Sequence, residues 1–101
     1  MTAYSVLEVT PHNDDWIEDY LPTANRLVKK HGGKYLARTS RHEVIEGEAP
    51  AEVALRIVIE WPSMEAAKAF ENEPEYQPHL KERLANSRSY HALIEGKDDL
   101  A

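Results

Sequence analysis

Val53-Ala54-Leu55-Arg56-Ile57-Val58-Ile59-Glu60-Trp61 is the stretch on which the architecture turns. Val53, Leu55, Ile57, Ile59 and Trp61 fall on one side of an extended chain, with Ala54, Arg56, Val58 and Glu60 on the other. This is the clearest two-residue period in the sequence and predicts a central strand. Pro62-Ser63 ends it: proline cannot donate to a ladder, and serine is a good helix N-cap. Met64, Ala66, Ala67 and Phe70 then form one apolar stripe, so a short helix follows. Asn72-Glu73-Pro74 breaks that helix, and Tyr76, Leu80 and Leu84 predict a further helical piece beginning at Pro74. Ser87 to Glu95 alternates again and predicts a last strand.

Upstream, Lys34 to Thr39 and His42 to Glu46 read as one strand broken at Ser40-Arg41, with Gly47 and Ala49-Pro50 as its turn. Before it, Ile17, Leu21, Ala24 and Val28 recur at helical spacing, predicting a helix over about residues 15 to 31. Asp15 with Glu18 is its expected capping box and Gly32-Gly33 its C-terminal cap. Pro22 removes the bond to the Glu18 carbonyl, so it kinks the helix or displaces its start. Ala3 to Val9 alternates as a first strand that Pro11 ends.

The order β-α-β-β-α-β has two halves of equal plan, and His42-Glu43-Val44-Ile45-Glu46-Gly47 repeats in part as His91-Ala92-Leu93-Ile94-Glu95-Gly96. Both features point to an α+β, ferredoxin-like βαββαβ fold with a four-stranded antiparallel sheet, as a single domain over residues 1–101. In that fold two helices cover one sheet face and leave the other bare. Tyr4, Val6, Ala54 and Val58 cannot share the helix-covered face with Leu7, Val9, Leu55, Ile57 and Ile59. A bare face of such residues needs cover, and a second copy of the chain supplies it, so a homodimer is expected.

The composition bounds the remaining classes. A net charge of −6 with no basic cluster disfavours nucleic acid. The absence of cysteine excludes disulfides and thiolate chemistry and fits a reducing compartment. No leader-like N-terminus or membrane-length apolar run is present, so a cytoplasmic protein without membrane contact is expected.

Gly32-Gly33-Lys34-Tyr35-Leu36-Ala37-Arg38, Glu46-Gly47, Ile59-Glu60-Trp61-Pro62-Ser63-Met64-Glu65-Ala66-Ala67-Lys68-Ala69-Phe70, Pro74-Glu75-Tyr76-Gln77 and Arg83 together resemble the uncharacterised DUF1330 proteins of the dimeric α/β barrel superfamily. The resemblance spans nearly the whole chain and implies a ferredoxin-like protomer whose sheet packs face to face with that of a second copy. It implies little about activity, because the wider superfamily includes monooxygenases, haem-degrading enzymes, lactone isomerases and binding modules. Phe70-Glu71-Asn72-Glu73 departs from the Trp-Tyr-x-Ser that the family often carries before Pro-Glu-Tyr, so any role of that serine is missing.

Candidate chemistry is dispersed. The five histidines show no metal-binding spacing, and neither a metal nor a cofactor is expected. His12, just past the first strand and beside Asp14, is a candidate general base, or else a solvated loop residue. Tyr76, His79 and Arg83 share one face of the last helical piece and can line a cavity mouth, Tyr76 as acid or base; the alternative is a core tyrosine with a solvated neighbour. Arg38 and Arg88 lie on strands among apolar residues, where a guanidinium needs a substrate carboxylate or a carboxylate of the sheet such as Glu60 or Glu8. Tyr20, near Pro22, is a candidate pocket phenol. His42 and His91 are expected to face solvent or the dimer contact. The functional expectation is a small organic anion bound between sheet and helices, with cofactor-free catalysis of isomerase or monooxygenase type, the alternative being a non-catalytic binding or structural dimer.

Overall fold

The computed structural model describes residues 1–48 and 52–101. Strand β1 (Ala3–Pro11) leads to helix α1 (Ile17–Lys30), then β2 (Lys34–Thr39), β3 (Leu55–Trp61), α2 (Met64–Glu71), a 3₁₀ turn (Pro74–Tyr76), α3 (Gln77–Ala85) and β4 (Ser87–Glu95). The strands form one antiparallel sheet in the order β2-β3-β1-β4. This is the ferredoxin-like α+β plan.

Residues 42–46 are not strand, contrary to the sequence expectation. The β2–β3 ladder ends at Thr39 opposite Arg56, and β3 begins at Leu55, so a continuation of β2 through 42–46 has no β3 residues to pair with. The repeat shared with 91–96 therefore has no structural counterpart. The turn expected at Ala49-Pro50 lies outside the described residues.

Local chemistry sets the element ends. Ser63 Oγ accepts from the Ala66 backbone N–H at 3.0 Å and caps α2. The Asp15–Glu18 capping box does not form at α1: the Asn13 side chain instead accepts from Asp15 N–H at 3.2 Å, and Trp16 occupies the cap without a side-chain bond. Pro22 sits inside the helix, which starts before it at Ile17. At the other end Gly32 adopts φ +80°, and Gly33 donates to the Val28 carbonyl at 2.8 Å. Gly33 also lies so close to the core that a Cβ there would stand 2.7 Å from both Trp61 Cζ3 and Val28 Cγ1. That close approach lets the turn tuck α1 against the end of β3.

The two faces of the sheet differ. Ala3, Leu7 and Val9 of β1 and Ile57, Ile59 and Trp61 of β3 are buried beneath Ala24, Leu27 and Val28 of α1, Ala67 and Phe70 of α2, and Tyr76. On the opposite face Val6 stands between Val58 and Ala92, with Tyr4 beside Ile94 on the same side. There Val6, Tyr90 and Ile94 are exposed, and Glu8 pairs with Arg56 at 2.6 Å. Among the described residues no helix is long and apolar enough to cross a membrane.

Candidate functional site

Between the sheet and its helices lies a largely apolar cavity of about 90 Å³. Six aromatic residues line it: Trp16, Tyr20, Tyr35, Trp61, Phe70 and Tyr76. Edge-on and tilted contacts link all of these rings but that of Tyr35, with Trp16 to Tyr20 and Trp61 to Phe70 at 5.3 Å, Tyr20 to Tyr76 at 6.0 Å and Phe70 to Tyr76 at 4.4 Å between centroids. Exposed Leu21 and Arg38 mark its solvent side.

Arg38 reaches the cavity through an irregularity in β2. Tyr35 pairs with Ile59 and Ala37 with Val58, leaving Leu36 as an extra residue. The bulge puts Tyr35 and Arg38, three residues apart, on the helix-facing side together. The guanidinium carbon of Arg38 stacks 3.8 Å above the Tyr35 ring, and its Nη1 donates to Asn25 Oδ1 at 2.6 Å. Burial pushes the Tyr35 phenol above its ordinary pKa, with Arg38 pulling the other way.

The innermost charge is Arg83, on α3 and 4% exposed. Its Nε and Nη1 are buried with no hydrogen-bond partner among the described residues. Burial acts most strongly against its charge, but Tyr20, Tyr76 and Glu71 outweigh that and raise its pKa. The guanidinium is therefore a buried cation whose donor capacity is partly unused. Next to it the Tyr20 and Tyr76 hydroxyls meet at 2.7 Å. Burial, reinforced by Tyr20 and opposed by Arg83, drives the Tyr76 phenol far above its ordinary value. That burial favours the neutral, hydrogen-bonding form of the phenol.

On the floor, Trp61 Nε1–H donates to Ser5 Oγ at 2.8 Å, and Ser5 Oγ lies 2.8 Å from His91 Nε2. His91 Nδ1 faces Glu71 Oε1 at 3.2 Å. His91 and Glu71 line both this cavity and a surface groove with Ala67, Lys68 and Leu93, so the pair forms part of the wall between them. Among the described residues no cluster of three or more histidine, aspartate or glutamate side chains is placed to hold a metal ion.

The profile of a family described as "Domain of unknown function (DUF1330)" matches residues 2–97. The chain belongs to this family. No protein of curated function matches it significantly. Among solved structures it is similar to RPA0582, a protein of unknown function from Rhodopseudomonas palustris, with TM-score 0.80, 15% identity, and coverage of 96% of this chain and 83% of that one. It is also similar to a dimeric ferredoxin-like protein of unknown function from Jannaschia sp. CCS1, with TM-score 0.73, 13% identity, and coverage of 94% and 99%. SnoaB, a cofactor-independent oxygenase from Streptomyces nogalater, gives TM-score 0.64 at 19% identity, covering 98% and 96%. At such identities these likenesses speak for the fold.

Within this DUF1330 chain the structure brings Tyr20, Arg38, Tyr76 and Arg83 to one cavity. It places the other candidates elsewhere. His12 is exposed, and its backbone N–H donates to the Asn86 carbonyl at 2.8 Å. His79 lies in a separate depression with Asp15, Asp19 and Glu82. Arg88, exposed on β4, donates to the Glu52 carbonyl at 2.5 Å. His91 departs from expectation, facing the cavity instead of solvent or a dimer contact. Along β4 the apolar Tyr90, Ala92 and Ile94 mark the outer face, whereas Ser87, Ser89, His91 and Leu93 turn toward the helices. The register against β1, which sets His91 opposite buried Leu7, assigns the faces. Ser5, Tyr35 and Glu71 were also missed. Ser5 was readable as the polar member of an otherwise apolar inward set on β1, a sign that it satisfies a buried partner.

Proposed function

We propose that this protein is a homodimer in which each protomer binds a small organic anion with an apolar body, Arg83 holding the anionic group and the aromatic lining enclosing the body. The observation that carries this reading is Arg83: a buried guanidinium in an apolar cavity, two of whose nitrogens have no partner among the described residues. Such a group is costly unless an anion completes it. A carboxylate supplies two acceptor oxygens to match the guanidinium fork. The cavity of about 90 Å³ is smaller than the roughly 150 Å³ engineered apolar cavity that accepts benzene. The enclosed part therefore suits a ligand of a few heavy atoms, and a longer one extends toward Arg38. Dimerisation is supported by the apolar outer sheet face around Val6 and by the dimeric Jannaschia protein of similar fold.

Cofactor-free catalysis of isomerase or oxygenase type is the second reading, favoured by the acid–base pair His91 and Glu71 in the cavity wall and by the likeness to SnoaB. A non-catalytic binding or structural dimer is its alternative. Thermal-shift and calorimetric titration with butyrate, benzoate and pyruvate, against uncharged butyramide, tests the binding. A ligand at a hundred times its Kd adds about 2.7 kcal/mol of stability. The expected outcome is stabilisation by carboxylates and none by the amide. A protein that no carboxylate stabilises would lack the anion site.

A further inference from the structure

The chain of polar groups on the cavity floor has a fixed direction. Indole N–H can only donate, so Ser5 Oγ accepts from Trp61; an ionised Glu71 can only accept and so takes the proton of His91 Nδ1, which in the neutral imidazole leaves Nε2 to accept from the Ser5 hydroxyl. Nε2 is then the bare, basic nitrogen, and Nδ1 carries the proton that faces the Glu71 carboxylate. Satisfying Trp61 needs no more than an acceptor, and Ser5, 0% exposed, already supplies it. The imidazole and the carboxylate go beyond that need. They hold one tautomer from both ends in an imidazole that lines a cavity, where two nitrogens of the Arg83 guanidinium have no partner among the described residues.

We propose that His91 is the general acid–base group of this cavity, acting on small oxo acids whose carboxylate is held by Arg83, with Glu71 as its positioning residue. The inference rests on the anion-binding reading above. An oxo acid matches the groups that converge there: a carboxylate for the guanidinium, a carbonyl oxygen for the phenol pair of Tyr20 and Tyr76, and an acidic C–H for the imidazole. The Ser5 hydroxyl gives up Nε2 as the ligand enters. Nε2 then takes the proton from the carbon next to the carbonyl. The C–H electron pair becomes the carbon–carbon double bond of an enolate, and the carbonyl π pair moves to its oxygen beside Arg83 and the phenols. The imidazolium shares its charge with Glu71. Return of the proton to the same carbon gives exchange, and return to another gives an isomer. No electrons are gained or lost, so no oxidant or cofactor enters the step.

The test uses the full chain in D₂O with pyruvate, 2-oxobutyrate and 4-oxopentanoate, following loss of the protons next to the carbonyl by ¹H NMR, with binding measured in parallel. Wild type is expected to exchange at least one of these acids faster than buffer. The amide of His91→Gln can accept from Ser5 and donate to Glu71, so it keeps the structural chain and removes the base. It should lower exchange about 100-fold with binding retained. Glu71→Gln should lower it less. In His91→Ala, added free imidazole should restore part of the rate, which a purely structural histidine would not allow. Oxo acids that bind without exchanging, or exchange that persists in His91→Gln, overturn the assignment. Binding of simple carboxylates but of no oxo acid overturns the substrate class. Failure of every carboxylate to bind removes the anion site itself, a distinct result.

Discussion

Replacing Arg83 with methionine should stabilise the ligand-free protein and abolish its response to anions. Two buried guanidinium nitrogens lack partners among the described residues, and each buried polar group left unsatisfied costs about 1–3 kcal/mol. The cation is supported by Tyr20, Tyr76 and Glu71, but the phenols carry no charge at neutral pH, so Glu71 alone offsets the burial by charge. The support that Tyr76 and Glu71 give the cation is lost in the variant and offsets part of the gain. Methionine follows much of the same path and keeps the packing of the stem. The net expectation is a gain of about 1–2 kcal/mol, which for a domain of this size raises Tm by about 4 °C or more. Differential scanning calorimetry at one fixed protein concentration checks it, without ligand and with saturating butyrate. Butyrate should narrow or reverse the gap by stabilising the wild type alone. A Tm below that of wild type without ligand would mean that Arg83 is structurally satisfied, and the argument from its unused donors would fail.

Four further outcomes follow from the packing and electrostatics. Gly33→Ala drives a Cβ to 2.7 Å from Trp61 and Val28 and should cost about 1–3 kcal/mol by overpacking, read from urea midpoints. Ser63→Ala removes the cap on Ala66 N–H and should cost about 1 kcal/mol in the same assay. Tyr76 has a folded pKa raised above its ordinary value of 10.0, so the stability it contributes is intact below that pH and is lost as pH rises past it. Urea unfolding on either side of pH 10 should therefore decline less steeply in Tyr76→Phe, and an unchanged slope would contradict the burial of that phenol. Val6→Lys places a charge between Val58 and Ala92 on the outer face; sedimentation should show monomer where the wild type is a dimer, and an intact dimer would move the contact to another surface.

The fold was legible wherever a period coincided with a punctuating residue. Trp61-Pro62-Ser63 ends β3 and starts α2 in one step, and Ser87 to Glu95 is strand over its whole predicted span. It was not legible where alternation existed without a neighbour to pair with, as at 42–46, because strand formation depends on an available edge that sequence does not display. Of the site, Tyr76 and Arg83 could be read from helical spacing, since seven residues return to nearly the same face. Glu71 could not, because it closes α2 and its partner His91 is twenty residues downstream. His91 was expected outward as an edge-strand residue, and its register opposite buried Leu7 turns it inward.

Leu36 governs the entrance without contributing a functional group to it. Because it takes a place in β2 that the partner strand does not match, Ala37 turns outward and Arg38 inward. An unbulged ladder built from the same residues would show Ala37 to the cavity and Arg38 to solvent. The polarity of the mouth thus depends on the bulge at Leu36, not on the number of residues between Gly33 and Arg38. Deleting Leu36 would leave Arg38 inward on a regular strand, whereas smoothing the bulge at constant length would strip the entrance of its cation. In a chain of this plan, the charge at the entrance changes with the pairing of one strand and not with its length.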